Sequence, residues 1–276
     1  MLSINKNRCN LCGECINTCP FGALTINEGR IDVSAACRMC RMCVKKCPQK
    51  AIVVTDGMRK RADRAKWQGI MVFVEYMEGE IHPVTIELIG KAKELASKIN
   101  HPVYCIFIGY NILDKAQKLL AYGVDKVFVY DNEVFEYYRE DLYSNAFEDC
   151  INNIKPSIVL VGATAIGRSL APRLSTRFRT GLTADCTVLD IKENTDLVQI
   201  RPAFGGNIMA QIVTEYSRPQ FATVRYKVME KAKTVKSLTD SEIEEGVEIC
   251  KLAKGENEVP NRDNRDYSKG KGKFHI

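Results

Sequence analysis

The chain has only one Trp and three His among 276 residues, and no apolar run approaches the ~18 residues of a membrane span. Its first residues, Met-Leu-Ser-Ile-Asn-Lys-Asn-Arg, lack the apolar stretch of a secretory signal. His82, His101 and His275 stand without a metal-ligand or triad neighbour and read as structural or surface residues. No catalytic acid–base set is visible; Asp185 with Thr183 is the one pair that qualifies at all. These absences argue against a membrane span and against a self-contained hydrolase. What the chain does have is cysteine.

Residues 9–20 and 37–48 repeat one pattern, Cys-x2-Cys-x2-Cys-x3-Cys-Pro, at a constant offset of 28 residues. This is bacterial ferredoxin spacing, in which the fourth Cys of each run ligates the cluster of the other run. One [4Fe–4S] cluster is therefore assigned to Cys9, Cys12, Cys15 and Cys47, and a second to Cys37, Cys40, Cys43 and Cys19. Zinc sites use paired Cys-x2-Cys knuckles, and a third, duplicated Cys has no place in them. Arg38 and Arg41 fall inside the second run, where the first carries Glu14. Residues 21–26 align with 49–54, so each half is expected to end in a short apolar strand. A module of this size depends on metal ligation for what its core cannot supply. The remaining cysteines (Cys105, Cys150, Cys186, Cys250) are scattered. Free thiols and clusters together fit a reducing cytoplasm.

The net charge of +6 is uneven: residues 1–66 hold thirteen Lys/Arg against five Asp/Glu, leaving −2 for the rest. Residues 59–66 form a basic linker without the aromatic interleaving or groove-entering motif of a nucleic-acid binder. An acidic protein partner or plain solvent are the readings left.

From residue 67 onward, apolar strands alternate with amphipathic helices, as in residues 70–76, 103–108, 126–130 and 157–161. Ile86, Ile89, Ala92, Ala96 and Ile99 keep a helical period, as do Leu142, Ala146, Cys150 and Ile154. Continuous apolar strands in such alternation predict a doubly wound, mainly parallel α/β domain. Residues 180–228 read as a β-rich extension, with 187–191, 197–201, 208–214 and 222–228 forming a small mixed sheet. Its apolar residues Phe204, Ile208, Met209 and Phe221 exceed what an edge sheet can cover. A helix over 241–254 is expected, with Ser241 and Glu244 as a capping box, then a polar tail. The expected domains are 1–58, a linker 59–68, an α/β domain 69–228, and 229–276. Ligands of open parallel sheets favour the carboxyl ends of strands, so the loops 161–168, 180–187, 201–207 and 218–223 are the chemical candidates.

Several strings together carry a resemblance. They are residues 72–75 (Val-Phe-Val-Glu), 87–90 (Glu-Leu-Ile-Gly), 123–127, 162–164 (Gly-Ala-Thr), 170–173 (Leu-Ala-Pro-Arg), 180–187, 201–207 and 218–225. Over roughly 160 residues they resemble the alpha subunit of electron transfer flavoproteins, and with the cysteine runs in front, the iron–sulfur-fused alpha subunits of electron-bifurcating flavoproteins. The resemblance implies FAD on a partner beta subunit. It implies single-electron relay through two [4Fe–4S] clusters to ferredoxin, and service to an acyl-CoA, enoyl-CoA or lactate-type dehydrogenase. It places Arg201, Gly205, Gly206, Asn207 and Thr183 facing that flavin. The family's Gly-rich second FAD domain has no counterpart after Lys227, so this chain is not expected to hold the alpha-subunit flavin. The competing readings are an iron–sulfur nucleotide sensor using the Gly162 loop and a stand-alone oxidoreductase.

Overall fold

The 28-residue repeat folds as two copies of one small motif. In the computed structural model, which describes residues 2–34, 36–54, 62–235 and 238–252, the chain divides into units 1–61 and 62–276. In the first unit, strands Leu2–Ile4 and Ile52–Val54 pair antiparallel, and Leu24–Asn27 pairs with Arg30–Val33. Short helices Glu14–Asn17 and Met42–Lys46 follow the left-handed residues Gly13 and Arg41. The core beneath them is small: Leu2, Cys15, Leu24, Ile31, Cys43 and Ile52.

The second unit is a doubly wound α/β layer structure. Its elements run β1 (Ile70–Val74), α1 (Pro83–Ile99), β2 (Val103–Gly109), α2 (Leu113–Leu120), β3 (Lys126–Asp131), α3 (Glu140–Ile154), β4 (Ile158–Gly162) and α4 (Ala165–Arg177). Then come β5 (Leu182–Cys186), β6 (Val188–Ile191), β7 (Leu197–Ala203), β8 (Ile208–Val213), β9 (Gln220–Val224), α5 (Asp240–Gly246) and β10 (Val247–Ile249). Seven strands form one parallel sheet in the order β5-β9-β4-β1-β2-β3-β10. Strand alternation splits the core: Ile70, Val72 and Val74 pack with α1 and α2, whereas Met71 and Phe73 pack with α3 and α4. Helices α1 and α4 start where the sequence offers a cap. His82 accepts from the Val84 amide with Pro83 in the first turn of α1, and Thr164 accepts from the Gly167 amide at the start of α4. Gly167 is required there, because a Cβ would lie 1.9 Å from the Gly162 carbonyl oxygen.

The structure corrects the expectation at four places. Residues 220–224 are not part of the small sheet; β9 inserts between β4 and β5, buried along its whole length, which is how a strand covered on both faces behaves. Phe221 is accordingly core, while Phe204, Ile208 and Met209 remain exposed on the antiparallel sheet β6-β7-β8. Residues 182–186, read as loop, form edge strand β5 with a bulge between Thr183 and Cys186. The capping box near the end is Thr239 with Glu242, two residues earlier than expected, and α5 gives way at Val247 to a strand paired with β3.

The basic linker is also more ordered than its composition implied. Arg64–Lys66 is a short 3-10 turn capped by Asp63, and the Arg64 guanidinium reaches both Asp196 carboxylate oxygens at 2.8 Å. Residues 59–61 and the polar tail 255–276 lie outside the described residues. Among the described residues no helix is long and apolar enough to cross a membrane.

Candidate cluster and flavin-facing sites

Each cysteine run places three thiols around a turn and a short helix. Cys15 and Cys43 lie in those helices and point inward; burial pushes both thiols above their ordinary range. Cys12 and Cys40 are exposed, and Cys9, Cys19, Cys37 and Cys47 are half-buried. The repeat is therefore matched in burial, thiol by thiol. It is matched in hydrogen bonding as well: the Ala23 amide donates to Cys19 Sγ at 3.4 Å and the Ala51 amide to Cys47 Sγ at 3.3 Å.

Two cavities result. One is lined by Cys9, Cys12, Cys15 and Cys47, the other by Cys19, Cys37, Cys40 and Cys43, so the fourth thiol of each run crosses to the other run's cavity. The two cavities are of near-equal size. Among the described residues no three His, Cys, Asp or Glu side chains converge tightly enough for a single metal ion. Four soft sulfur donors ringing a void suit a polynuclear iron–sulfur group, whose ligands stand apart on the corners of the cluster. Apolar Ile4, Ile31 and Ile52 complete the first lining, and Leu2, Phe21 and Leu24 the second. That surrounding limits water around the thiolates.

In the second unit the chain turns back at the β1–β4 junction: β2 and β3 extend one way from β1, and β4 starts on its other side. Glu75, just past β1, is only 2% exposed there, and the Thr164 hydroxyl donates to it at 2.5 Å. Burial raises the Glu75 carboxyl, with the Thr164 hydrogen bond and nearby His82 opposing. The Gly162 loop therefore caps its own helix and faces the protein's own carboxylate. A phosphate would meet a negative group where a nucleotide sensor needs donors. Neither Glu75 nor its partnership with Thr164, 89 residues away, was legible as a pair in the sequence.

At the carboxyl ends of β9 and β5 a cationic group assembles. Asp185, held at φ 58° in the β5 bulge, accepts two bonds from Arg168 at 3.1 and 2.9 Å and lies 3.8 Å from Arg225. The Arg201–Asp185 pair that would make Arg201 merely structural does not form, since Arg168 takes that carboxylate. Arg201 lies half-buried on β7 opposite Ala210, close enough to Cys186 to oppose the burial that pushes this thiol up to about 12. Gly205, Gly206 and Asn207 sit at the exposed turn joining β7 to β8, with Gly205 and Gly206 at φ 69° and 94°. Phe204, 82% exposed, stands beside them. Thr183 is buried in β5, which pairs with β9. Neither Arg168 nor Arg225 was singled out in the sequence, although Arg168 closes the candidate loop 161–168 and Arg225 lies in a string that carries the family resemblance.

Comparison with known proteins agrees with both halves of this geometry. The electron transfer flavoprotein domain family matches residues 70–248, and 4Fe-4S binding domain families match residues 1–24 and 34–55. Subunit LctC of the lactate dehydrogenase (NAD(+),ferredoxin) of Acetobacterium woodii is 55% identical, over 76% of this chain and 50% of that protein. The electron transfer flavoprotein subunit alpha of Clostridium acetobutylicum is 46% identical over 61% of this chain and 51% of its own length. The acryloyl-CoA reductase electron transfer subunit beta of Anaerotignum propionicum is 38% identical over 62% and 53% respectively. The chain spans about half the length of the curated relatives it matches. It belongs to the electron transfer flavoprotein family and carries two 4Fe-4S binding domains.

Proposed function

We propose that this chain is the electron-relay subunit of a flavin-based bifurcating complex, passing single electrons between a partner-bound flavin and ferredoxin. The observation that carries the reading is the pair of thiol-lined cavities, each with four cysteines drawn from both runs, in a chain of this family. Cys9, Cys12, Cys15 and Cys47 would hold one [4Fe–4S] cluster and Cys37, Cys40, Cys43 and Cys19 the other. When bound, such clusters take up and release one electron each, while FAD exchanges one or two.

The chain's own contribution is position and charge. The exposed turn of Gly205, Gly206 and Asn207 lets backbone approach a ring, and Phe204, Ile208 and Met209 supply an apolar surface for a beta subunit. The Arg201 guanidinium would stand against the flavin and favour its reduced, more negative forms. The partners are a beta subunit, ferredoxin, and a dehydrogenase acting on lactate, an acyl-CoA or an enoyl-CoA, in the reducing cytoplasm that twelve unbridged cysteines suit.

Anaerobic purification tests the first half: roughly eight irons per chain, with the EPR of two reduced [4Fe–4S] clusters, is expected. Stoichiometric zinc would overturn it. The second half is tested by Arg201→Ala in the heterodimer with the beta subunit. The beta-side flavin should become harder to reduce while assembly and iron content are retained. Unchanged flavin potential together with unchanged NADH-driven ferredoxin reduction would sink the role of Arg201.

A further inference from the structure

The two thiol quartets are near-copies, and the repeat allows their surroundings to be compared position by position. Ligand number and type are the same, matched thiols share a burial class, and the amide–sulfur bonds at Cys19 and Cys47 agree to 0.1 Å. Of the levers that set a cluster's potential, type, sulfur hydrogen bonding and exposure are thus held nearly equal. Charge is not. Among the described residues the only charged side chain lining the first cavity is Glu14, and the only ones lining the second are Arg38 and Arg41.

Arg41 occupies a position where no side chain is favoured. It precedes Met42–Lys46 at φ 62°, in the left-handed region, and its counterpart 28 residues earlier is Gly13 at φ 79°. Glycine takes that conformation freely and arginine does not. A Cβ at Gly13 would meet nothing within 4 Å, so crowding is not what keeps that position as glycine. Strain tolerated at one copy of a repeat and absent from the other points to function at that copy. The same exchange occurs once more, with Lys50 at φ 48° matching Gly22 at φ 56°, but Lys50 lines neither cavity.

We infer that Arg38 and Arg41 make the cluster held by Cys19, Cys37, Cys40 and Cys43 the higher-potential member of the pair and the resting place of the first electron. A cation beside a cluster stabilises its reduced, more negative state, whereas the Glu14 carboxylate does the opposite at the other cavity. In the singly reduced protein the electron therefore leaves the first cluster, which is oxidised, and reduces the second. The inference rests on the proposal that each quartet holds a [4Fe–4S] cluster.

The test is an EPR-monitored redox titration of the full chain, comparing the native protein with Arg38→Asn, Arg41→Gly and the double variant. Each substitution installs the residue found at the matching position of the first run, and Arg41→Gly relieves backbone strain, so folding is preserved. The upper of two one-electron couples should fall by at least threefold in its reduction equilibrium in the double variant, about 28 mV at 59 mV per tenfold. The lower couple should stay in place. Because both arginines are exposed, the native separation should also narrow as salt rises from about 0.01 M to about 1 M, where the screening length falls from about 30 to about 3 Å. Movement of the lower couple, or of neither, would overturn the inference while leaving the cluster proposal intact. Iron content far below eight per chain, with no pair of couples, would overturn both.

Discussion

The two units solve the problem of staying folded by opposite means. The first has six core residues, two of them cysteines that also line the cavities, and its strands form separate two-stranded sheets. Two-stranded sheets are marginal in water alone. The second buries two full apolar layers, one on each face of a seven-stranded parallel sheet. Stability in the first is thus tied to its cargo, and stability in the second is independent of any. On the proposed function, such a carrier would lose its electron path when the metal is lost and keep the fold of its second unit.

Removing the iron should give the largest effect and is the most direct way to break this comparison. Chelation after oxidation is expected to abolish protection from hydrogen exchange across residues 2–54, because metal binding and folding are one process in such modules. The strands β1 to β4 should remain protected at native levels. Loss of protection in both units together would mean that the second unit also depends on the clusters.

A change in the second unit sharpens the same contrast. Asp196 is 3% exposed in its side chain and accepts from Arg218, itself 1% exposed, at 2.7 Å, and from Arg64 at 2.8 Å. Asp196→Ala strands two guanidiniums, one of them deeply buried, and should cost about 3–5 kcal/mol. Trp67, the single tryptophan, packs against the core of this unit and reports its urea transition alone. The midpoint should fall strongly while the cluster absorbance is unchanged before that transition. A midpoint shift below about 1 kcal/mol would mean that solvent reaches the pair more freely than its burial indicates.

The same difference between local and distant determinants governs what the sequence disclosed. Thiol spacing is local, so the two cysteine runs were legible as 4Fe-4S binding domains. The α/β order was legible too, because β1 to β4 are long apolar runs separated by helical periods. Strand β9 was misplaced because a short buried run carries no mark of its neighbours; its partners β4 and β5 are set by pairing across the sheet. At the last helix two overlapping signals compete, Thr239 with Glu242 and Ser241 with Glu244. The first prevails, and residues 247–249 are drawn into the sheet edge beside β3. The segment around Thr183 read as a loop for a related reason: only β9 gives it a strand to pair with.

The smallest expected effect concerns Glu75, a buried carboxyl at the β1–β4 junction of the second unit. Its carboxyl is raised from the ordinary 4.5, chiefly by burial. The folded state therefore binds this proton more tightly than the unfolded chain does. The stabilisation from that proton is fully present below the unfolded value and is lost as pH rises through the folded one, with a slope of at most about 1.4 kcal/mol per pH unit for one proton. Glu75→Gln keeps a carbonyl oxygen for the Thr164 hydroxyl and removes the titration. Urea midpoints followed by Trp67 should show the native protein losing stability relative to Glu75→Gln as pH rises above about 4.5, with the difference levelling off once the carboxyl is ionised in both states. Parallel curves across that range would mean that Glu75 is stabilised as an anion by Thr164 and His82, so that hydrogen bonding outweighs burial at the β1–β4 junction.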